Sequence, residues 1–140
     1  MLLATDADWI FDEIDAALGD PDVTIHRVRE GRHVLPSVHL LSPDLVLLDL
    51  QIGQMGGMAA CMEIRLDEGV GKLGHVPVLM LLDRQADTFL AERSQADGWL
   101  IKPLDSFRLR RAAEALLEGD GWYEGLEVAP VAAPGDAADG

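Results

Sequence analysis

A single cysteine, Cys61, stands in a chain of 140 residues. No internal disulfide can form, and a reducing cytosol is the natural compartment. No apolar run approaches the roughly 20 residues that a bilayer span requires. The N-terminus carries neither a basic n-region nor an apolar h-region, so no membrane helix and no export signal are expected, and the location is read as cytoplasmic. Basic residues are scarce: 11 Lys and Arg against 25 Asp and Glu leave a net charge of −14. That balance argues against contact with nucleic acid or an anionic membrane, since both need a basic surface. His26, His33, His39 and His75 show no metal-ligand spacing, and Gly53, Gly56 and Gly57 do not form a dinucleotide fingerprint.

Aliphatic side chains are what the chain has in quantity, within a hydrophobic fraction of 49 %. The stretch from Pro43 to Asp49 organises the rest. Leu45, Val46, Leu47 and Leu48 run without polar alternation into one carboxylate. Such a run suits a strand buried on both faces of a parallel sheet. It delivers Asp49 to the carboxyl edge, where open α/β folds gather their ligands.

The pattern predicts five strand–helix units in one domain over residues 1–118. The first strand ends near Thr5, with Asp8 capping a helix from about Trp9 to Leu18. An edge strand over 23–28 follows, then a helix over 31–42 with Val34, Leu35, Val38 and Leu41 on one face and Pro36 in its first turn. After the strand ending at Asp49, a helix from near Gly57 should bury Met58, Cys61, Met62 and Leu66. The fourth strand (β4) spans 76–82 and the fourth helix (α4) lies within 83–97, anchored by Phe89 and Leu90. The fifth strand (β5) spans 98–101. The fifth helix (α5), over 105–118, buries Leu109, Ala112, Ala113 and Leu116. Residues 119–140 read as an acidic Gly/Ala/Pro-rich linker or tail, with Trp122 and Tyr123 either covering the end of α5 or anchoring a partner. Right-handed crossovers favour strand order 2-1-3-4-5, which brings Asp6, Asp49 and Lys102 to one cleft.

Two carboxylates and an ammonium at a strand-end cleft can hold Mg²⁺ through hard oxygen ligands. They can also make a carboxylate nucleophilic towards phosphorus, with metal and lysine offsetting the developing charge. At this point the residues resemble a known family. The segment Pro43 to Leu50, with Met55 and Gly57 after it, is similar to the phosphoacceptor segment of response-regulator receiver domains. Ala96 to Pro103 resembles the same family's last strand and its lysine. The resemblance covers about Leu2 to Leu117. It implies a flavodoxin-like (βα)5 three-layer sandwich, with Asp49 as phosphoacceptor and Lys102 as phosphate partner. It further implies Asp6, Asp49 and the Gln51 backbone carbonyl as Mg²⁺ ligands, and a cis peptide at Lys102–Pro103. The partners implied are a sensor histidine kinase or phosphotransfer protein and a downstream effector, with a homodimer through α4-β5-α5. In the tail no output domain is expected.

Several positions depart from the family pattern. Thr5-Asp6 stands where two acids are usual, which weakens the metal site. Leu82 occupies the place of the switch Ser or Thr and has no hydroxyl to donate. Trp99 takes the switch-aromatic position, where it is either a rotameric switch or an ordinary surface aromatic. Gly53 replaces a frequent proline and should loosen the loop after Asp49, and the stretch from Leu82 to Lys102 is short. Lys102 could instead be a structural tether for Asp49. Arg108, Arg110 and Arg111 are read as a solvated face or a docking cluster for partner acids, and Cys61 as a core thiol. Two functions follow: a phosphoacceptor switch in a phosphorelay, or a phosphorylation-independent pseudo-receiver acting as a constitutive interaction module. An enzyme is not expected. The strand after Met1 lacks a phosphate-cradling loop, and Asp49-Leu50-Gln51 lacks the Asp-x-Asp of a haloacid-dehalogenase-like phosphatase.

Overall fold

A computed structural model describes residues 1–125. Its centre is the pair of strands richest in uninterrupted aliphatics. Val46–Asp49 (β3) and Val78–Leu82 (β4) run parallel, with Val46 opposite Val78 and Asp49 opposite Leu81. Every residue of both is buried, as a sheet covered on two faces demands. Leu2–Ala4 (β1) flanks β3, His26–Val28 (β2) lies outside β1, and Gly98–Ile101 (β5) flanks β4. The order 2-1-3-4-5 holds, and a further parallel strand, Trp122–Tyr123 (β6), follows on the free edge of β5.

Successive strand residues point to opposite faces, which divides the core in two. Leu3, Leu47, Leu79, Leu81 and Leu100 meet Asp8–Leu18 (α1) and Ser106–Leu117 (α5) on one side. Leu2, Leu48, Met80, Leu82 and Trp99 meet Val34–Leu41 (α2), Gly57–Gly69 (α3) and Thr88–Arg93 (α4) on the other. In α5 the four expected core residues, Leu109, Ala112, Ala113 and Leu116, are all buried, and Asp105 caps the helix by accepting the Arg108 N–H.

Other helices differ from the pattern for identifiable reasons. Asp8 is the first residue of α1 and not its cap; its carboxylate is drawn to Arg27 at 2.8 Å and Arg29 at 3.1 Å. A 3₁₀ turn, Gly31–His33, precedes α2, which buries Val34 and Val38 and leaves Leu41 exposed; Pro36 sits in the first turn as expected. Helix α3 turns Gly57, Ala60, Cys61 and Ile64 to the sheet and leaves Met62 and Leu66 exposed. Close approach sets that face: a Cβ at Gly57 would lie 2.6 Å from the Asp49 carbonyl oxygen and 2.8 Å from the Leu50 Cα. Helix α4 is short, follows a 3₁₀ turn at Gln85–Asp87, and buries Ala91. Its Phe89 is exposed beneath the Arg93 guanidinium.

The residues after α5 begin with structure and not with a tail. A Cβ at Gly98 would meet the Trp122 carbonyl oxygen at 2.6 Å, so glycine is what admits β6. The Trp99 indole N–H donates to the Glu124 carbonyl at 2.9 Å, and the Ile101 N–H donates to the Glu124 carboxylate at 2.9 Å. Tyr123 packs edge-on against Trp99, with ring centroids 4.9 Å apart. Of the three arginines expected on a solvated face, Arg110 and Arg111 are exposed as expected, whereas Arg108 is partly buried and bonded within the fold. Arg108 pairs with Glu124 and Asp105 and donates to the Ile101 and Pro103 carbonyls, Arg110 donates to the Ala17 carbonyl, and Arg111 lies over Phe107. The remainder of the expected tail, 126–140, lies outside the described residues.

Burial alone would raise the Glu124 carboxyl. The hydrogen bonds from Arg108, the Ile101 N–H and Trp122 outweigh it and hold the group below its ordinary range. A carboxyl depressed in the folded state contributes stability above its unfolded value and loses it as pH falls through the folded one. Glu124→Gln should therefore be less stable than the wild type at neutral pH by about 1–2 kcal/mol. The two should converge as the pH is lowered through and below the ordinary glutamate range. Urea unfolding at several pH values, with exchange of the Ile101 amide as local probe, reads both effects.

Candidate functional site

Strand β3 ends by placing Asp49 at the carboxyl edge, only 2 % exposed. Burying a carboxylate is costly unless its oxygens are paired and hydrogen-bonded. Both oxygens are. Oδ1 accepts from the Lys102 ammonium at 2.9 Å and from the Gln51 N–H at 3.2 Å. Oδ2 accepts from the Thr5 hydroxyl at 2.8 Å. Thr5 follows β1 directly and is fully buried, and its oxygen also accepts the Ala7 N–H at 3.1 Å, which orients the hydroxyl. Where two adjacent acids are usual in the family, this chain has a hydroxyl that donates to Asp49.

Lys102 continues β5, its N–H donating to the Leu82 carbonyl at 2.8 Å, and the Lys102–Pro103 peptide is cis as expected. Its ammonium reaches a second carboxylate, Asp83, at 2.8 Å, and lies 6.0 Å from the Trp9 ring centroid. Burial works to lower the lysine's pKa, but the hydrogen bonds and charges of Asp83 and Asp49 outweigh it and hold the group above its usual value. The lysine is therefore an ammonium at neutral pH. Asp83 was not singled out by sequence reasoning. The signal was a carboxylate directly after an apolar strand, the same signal that marks Asp49.

Asp6 is exposed, and its carboxylate accepts the Gly53 N–H at 3.1 Å. The loop carrying Gln51 and Gly53 is tied down further. Gly31 N–H donates to the Gly53 carbonyl at 2.9 Å, and Arg32 N–H to the Gln54 carbonyl at 2.8 Å. The loosening expected from Gly53 is thus offset by two backbone bonds and a carboxylate. The first needs glycine at 31, because a Cβ there would lie 1.6 Å from the Met55 carbonyl oxygen. Among the described residues no group of three or more His, Cys, Asp or Glu is arranged for a metal ion. Mg²⁺ asks for less, one or two carboxylates with waters filling the remaining positions. Asp6, just past β1, and Asp49, the last residue of the adjacent β3, are the right donor chemistry for such a sparsely liganded ion.

Leu82 is fully buried and packs in the same core cluster as Ala91 and Trp99. Trp99 is 2 % exposed and hydrogen-bonded through its indole, so it is an interior residue and not a surface aromatic. Cys61 is a core thiol as expected: burial pushes its pKa up to about 11, and it donates to the Ser94 carbonyl.

Comparison with known proteins agrees with this geometry. The family model of the response regulator receiver domain matches residues 1–114. The DNA-binding response regulator MtrA of Mycobacterium tuberculosis (strain ATCC 25618 / H37Rv) is 37 % identical over 78 residues, covering 54 % of this chain and 32 % of that protein. The DNA-binding dual master transcriptional regulator RpaA of Synechocystis is 37 % identical over 79 residues, covering 55 % and 32 %. The chain thus matches about a third of the length of these curated relatives, and DNA binding is a property of those proteins as wholes. Among solved structures, the receiver domain of NtrX from Brucella abortus superposes with a TM-score of 0.71 at 25 % identity, covering 84 % of this chain and 97 % of that one. Chemotaxis response regulator CheY4 of Vibrio cholerae shares the fold, with a TM-score of 0.72 at 20 % identity, covering 82 % and 95 %. With most of its length matched by the family model and its strand order and carboxyl-edge cleft in agreement, the chain belongs to the response regulator receiver domain family.

Proposed function

We propose that Asp49 accepts a phosphoryl group from a sensor histidine kinase or phosphotransfer protein, and that the change alters affinity for a downstream effector. The observation that carries this reading is the buried Asp49 carboxylate held 2.9 Å from the Lys102 ammonium at the carboxyl edge of the sheet. With a small donor such as acetyl phosphate, a carboxylate oxygen of Asp49 attacks phosphorus and the bond from phosphorus to the acetate oxygen breaks. Acetate leaves, and Asp49 becomes a mixed anhydride. Lys102 is the point charge available to the new oxyanions. Asp6, Asp49 and the Gln51 carbonyl would hold Mg²⁺, which supplies charge neutralisation at the phosphoryl oxygens when bound. A constitutive module that ignores phosphorylation is not favoured, because the acceptor and its lysine are both present and paired.

The compartment we propose is the cytoplasm, where a kinase partner and a reduced Cys61 are both accommodated. Among the described residues no helix is long and apolar enough to cross a membrane. A homodimer through α4-β5-α5 would meet through the helices, since the β5 edge carries β6.

Acetyl phosphate with Mg²⁺ should give one phosphoryl adduct by intact-mass spectrometry, absent in Asp49→Asn. An unmodified wild type under those conditions would remove Asp49 from the role. Thr5→Asp tests the metal side. It replaces a donor to Asp49 by a second anion, so the metal-free protein should lose about 1–3 kcal/mol of stability. Its melting temperature should then rise more steeply with Mg²⁺ than that of the wild type, as a ligand bound only by the folded state requires. Thermal melts across a Mg²⁺ series decide the point.

A further inference from the structure

Asp83 has no part in the acceptor chemistry above, yet it holds the same ammonium. It follows Leu82 at the carboxyl end of β4, and its Oδ1 lies 2.8 Å from Lys102 Nζ, against 2.9 Å for Asp49 Oδ1. The three side chains grade outward, Asp49 at 3 % exposure, Lys102 at 12 % and Asp83 at 35 %. Lys102 therefore bridges the acceptor to a second, more solvated carboxylate. Two of the three N–H donors of the ammonium are committed to these anions.

Phosphorylation changes the two carboxylates differently. Asp49 gives up its carboxylate charge on becoming an anhydride, and the phosphoryl group brings a charge of about −1.5 to −2 in its place. Asp83 keeps its charge throughout. Lys102 must turn to the phosphoryl oxygens while Asp83 continues to attract it. When the anhydride is cleaved, water oxygen attacks phosphorus, the bond from phosphorus to the Asp49 oxygen breaks, and inorganic phosphate leaves. The Asp49 carboxylate is regenerated beside the ammonium it pairs with in the unmodified protein. A competitor for Lys102 disfavours the state that depends on that lysine most.

We propose that Asp83 is a positioning residue that holds Lys102 off the phosphoryl group and so lowers the occupancy of the phosphorylated state. The inference rests on Asp49 as the acceptor. It gives the short β4–α4 connection a role: the carboxylate adjoining Leu82 sets how much of the lysine the phosphoryl group receives.

The test compares wild type, Asp83→Asn and Asp83→Glu in the full chain, with Asp49→Asn as control. Adduct occupancy with acetyl phosphate and Mg²⁺ is measured by mass spectrometry, beryllofluoride affinity by tryptophan fluorescence, and stability by urea unfolding. Asp83→Asn should bind beryllofluoride about fivefold more tightly, the scale of a part-exposed ion pair, and carry more adduct at steady state. Its stability should fall slightly, because the ion pair is lost. Opposite signs in occupancy and stability separate positioning from a merely structural role, which would lower both. Asp83→Glu, which keeps charge and reach, should resemble the wild type. A labelled wild type with an unchanged or weaker Asp83→Asn overturns the inference and leaves Asp49 as acceptor. Label in Asp83→Asn alone supports it. Absence of label from every variant overturns both readings.

Discussion

One ammonium secures the carboxyl edge of this sheet. Asp49 could not sit buried at the end of β3 as an anion without partners, since a desolvated carboxylate must be paired and hydrogen-bonded. Lys102 supplies the charge, and the Gln51 N–H and the Thr5 hydroxyl add a hydrogen bond to each oxygen. With Asp83 included, the cluster ties together the ends of β1, β3, β4 and β5. The ion pair on which the proposed phosphoryl chemistry rests is also the one that closes the edge of the fold. For that reason any gain of charge at Asp49 has to be felt by each of those strand ends.

The replacement of an acid by Thr5 shows how that edge tolerates change. A second carboxylate beside Asp49 would add repulsion that only a cation could relieve. A hydroxyl adds a donor and no charge. In the metal-free protein the threonine is the better neighbour, because it donates a hydrogen bond to Oδ2. The same substitution leaves Asp6 as the remaining acid near the mouth of the cleft, and its carboxylate is already bound to the Gly53 N–H. A hydroxyl at position 5 therefore favours the metal-free edge, whereas a carboxylate there would favour a bound cation.

How far the amino-acid sequence could be read depended on which force decided each element. The aliphatic runs of β3 and β4 are legible, because four or five consecutive apolar residues, too short for a buried helix and bounded by turn residues, suit a doubly covered strand. The order of those strands then brings Asp49 to Lys102 without further information. Helix α5 was legible for the same reason, its four core residues recurring at helical spacing. The face of α3 was not, because it is chosen by the approach of Gly57 to the β3 backbone and not by hydrophobicity; Met62 and Leu66 are left outside by that contact. A two-residue strand such as β6 has no period to detect, and it is held through the adjoining Glu124, whose partners Arg108 and the Ile101 N–H are distant in sequence. Asp83 was hidden by the assumption that the residue after β4 starts a helix.

Leu82 and Trp99 set what a signal from Asp49 could do next. A serine or threonine hydroxyl at position 82 could follow a phosphoryl oxygen; a leucine buried against the core offers nothing to follow. Trp99 shares that core cluster, but its indole N–H is bonded to the Glu124 carbonyl and its ring is packed by Tyr123. Turning Trp99 would therefore break a hydrogen bond and an aromatic contact to β6, whereas a free ring at the same position would turn at the expense of packing alone. Glu124 is at the same time bound to Arg108 on α5 and to the Ile101 N–H. A displacement of Trp99 would consequently reach α5 through β6, because Glu124 joins the indole N–H, the Ile101 N–H and Arg108.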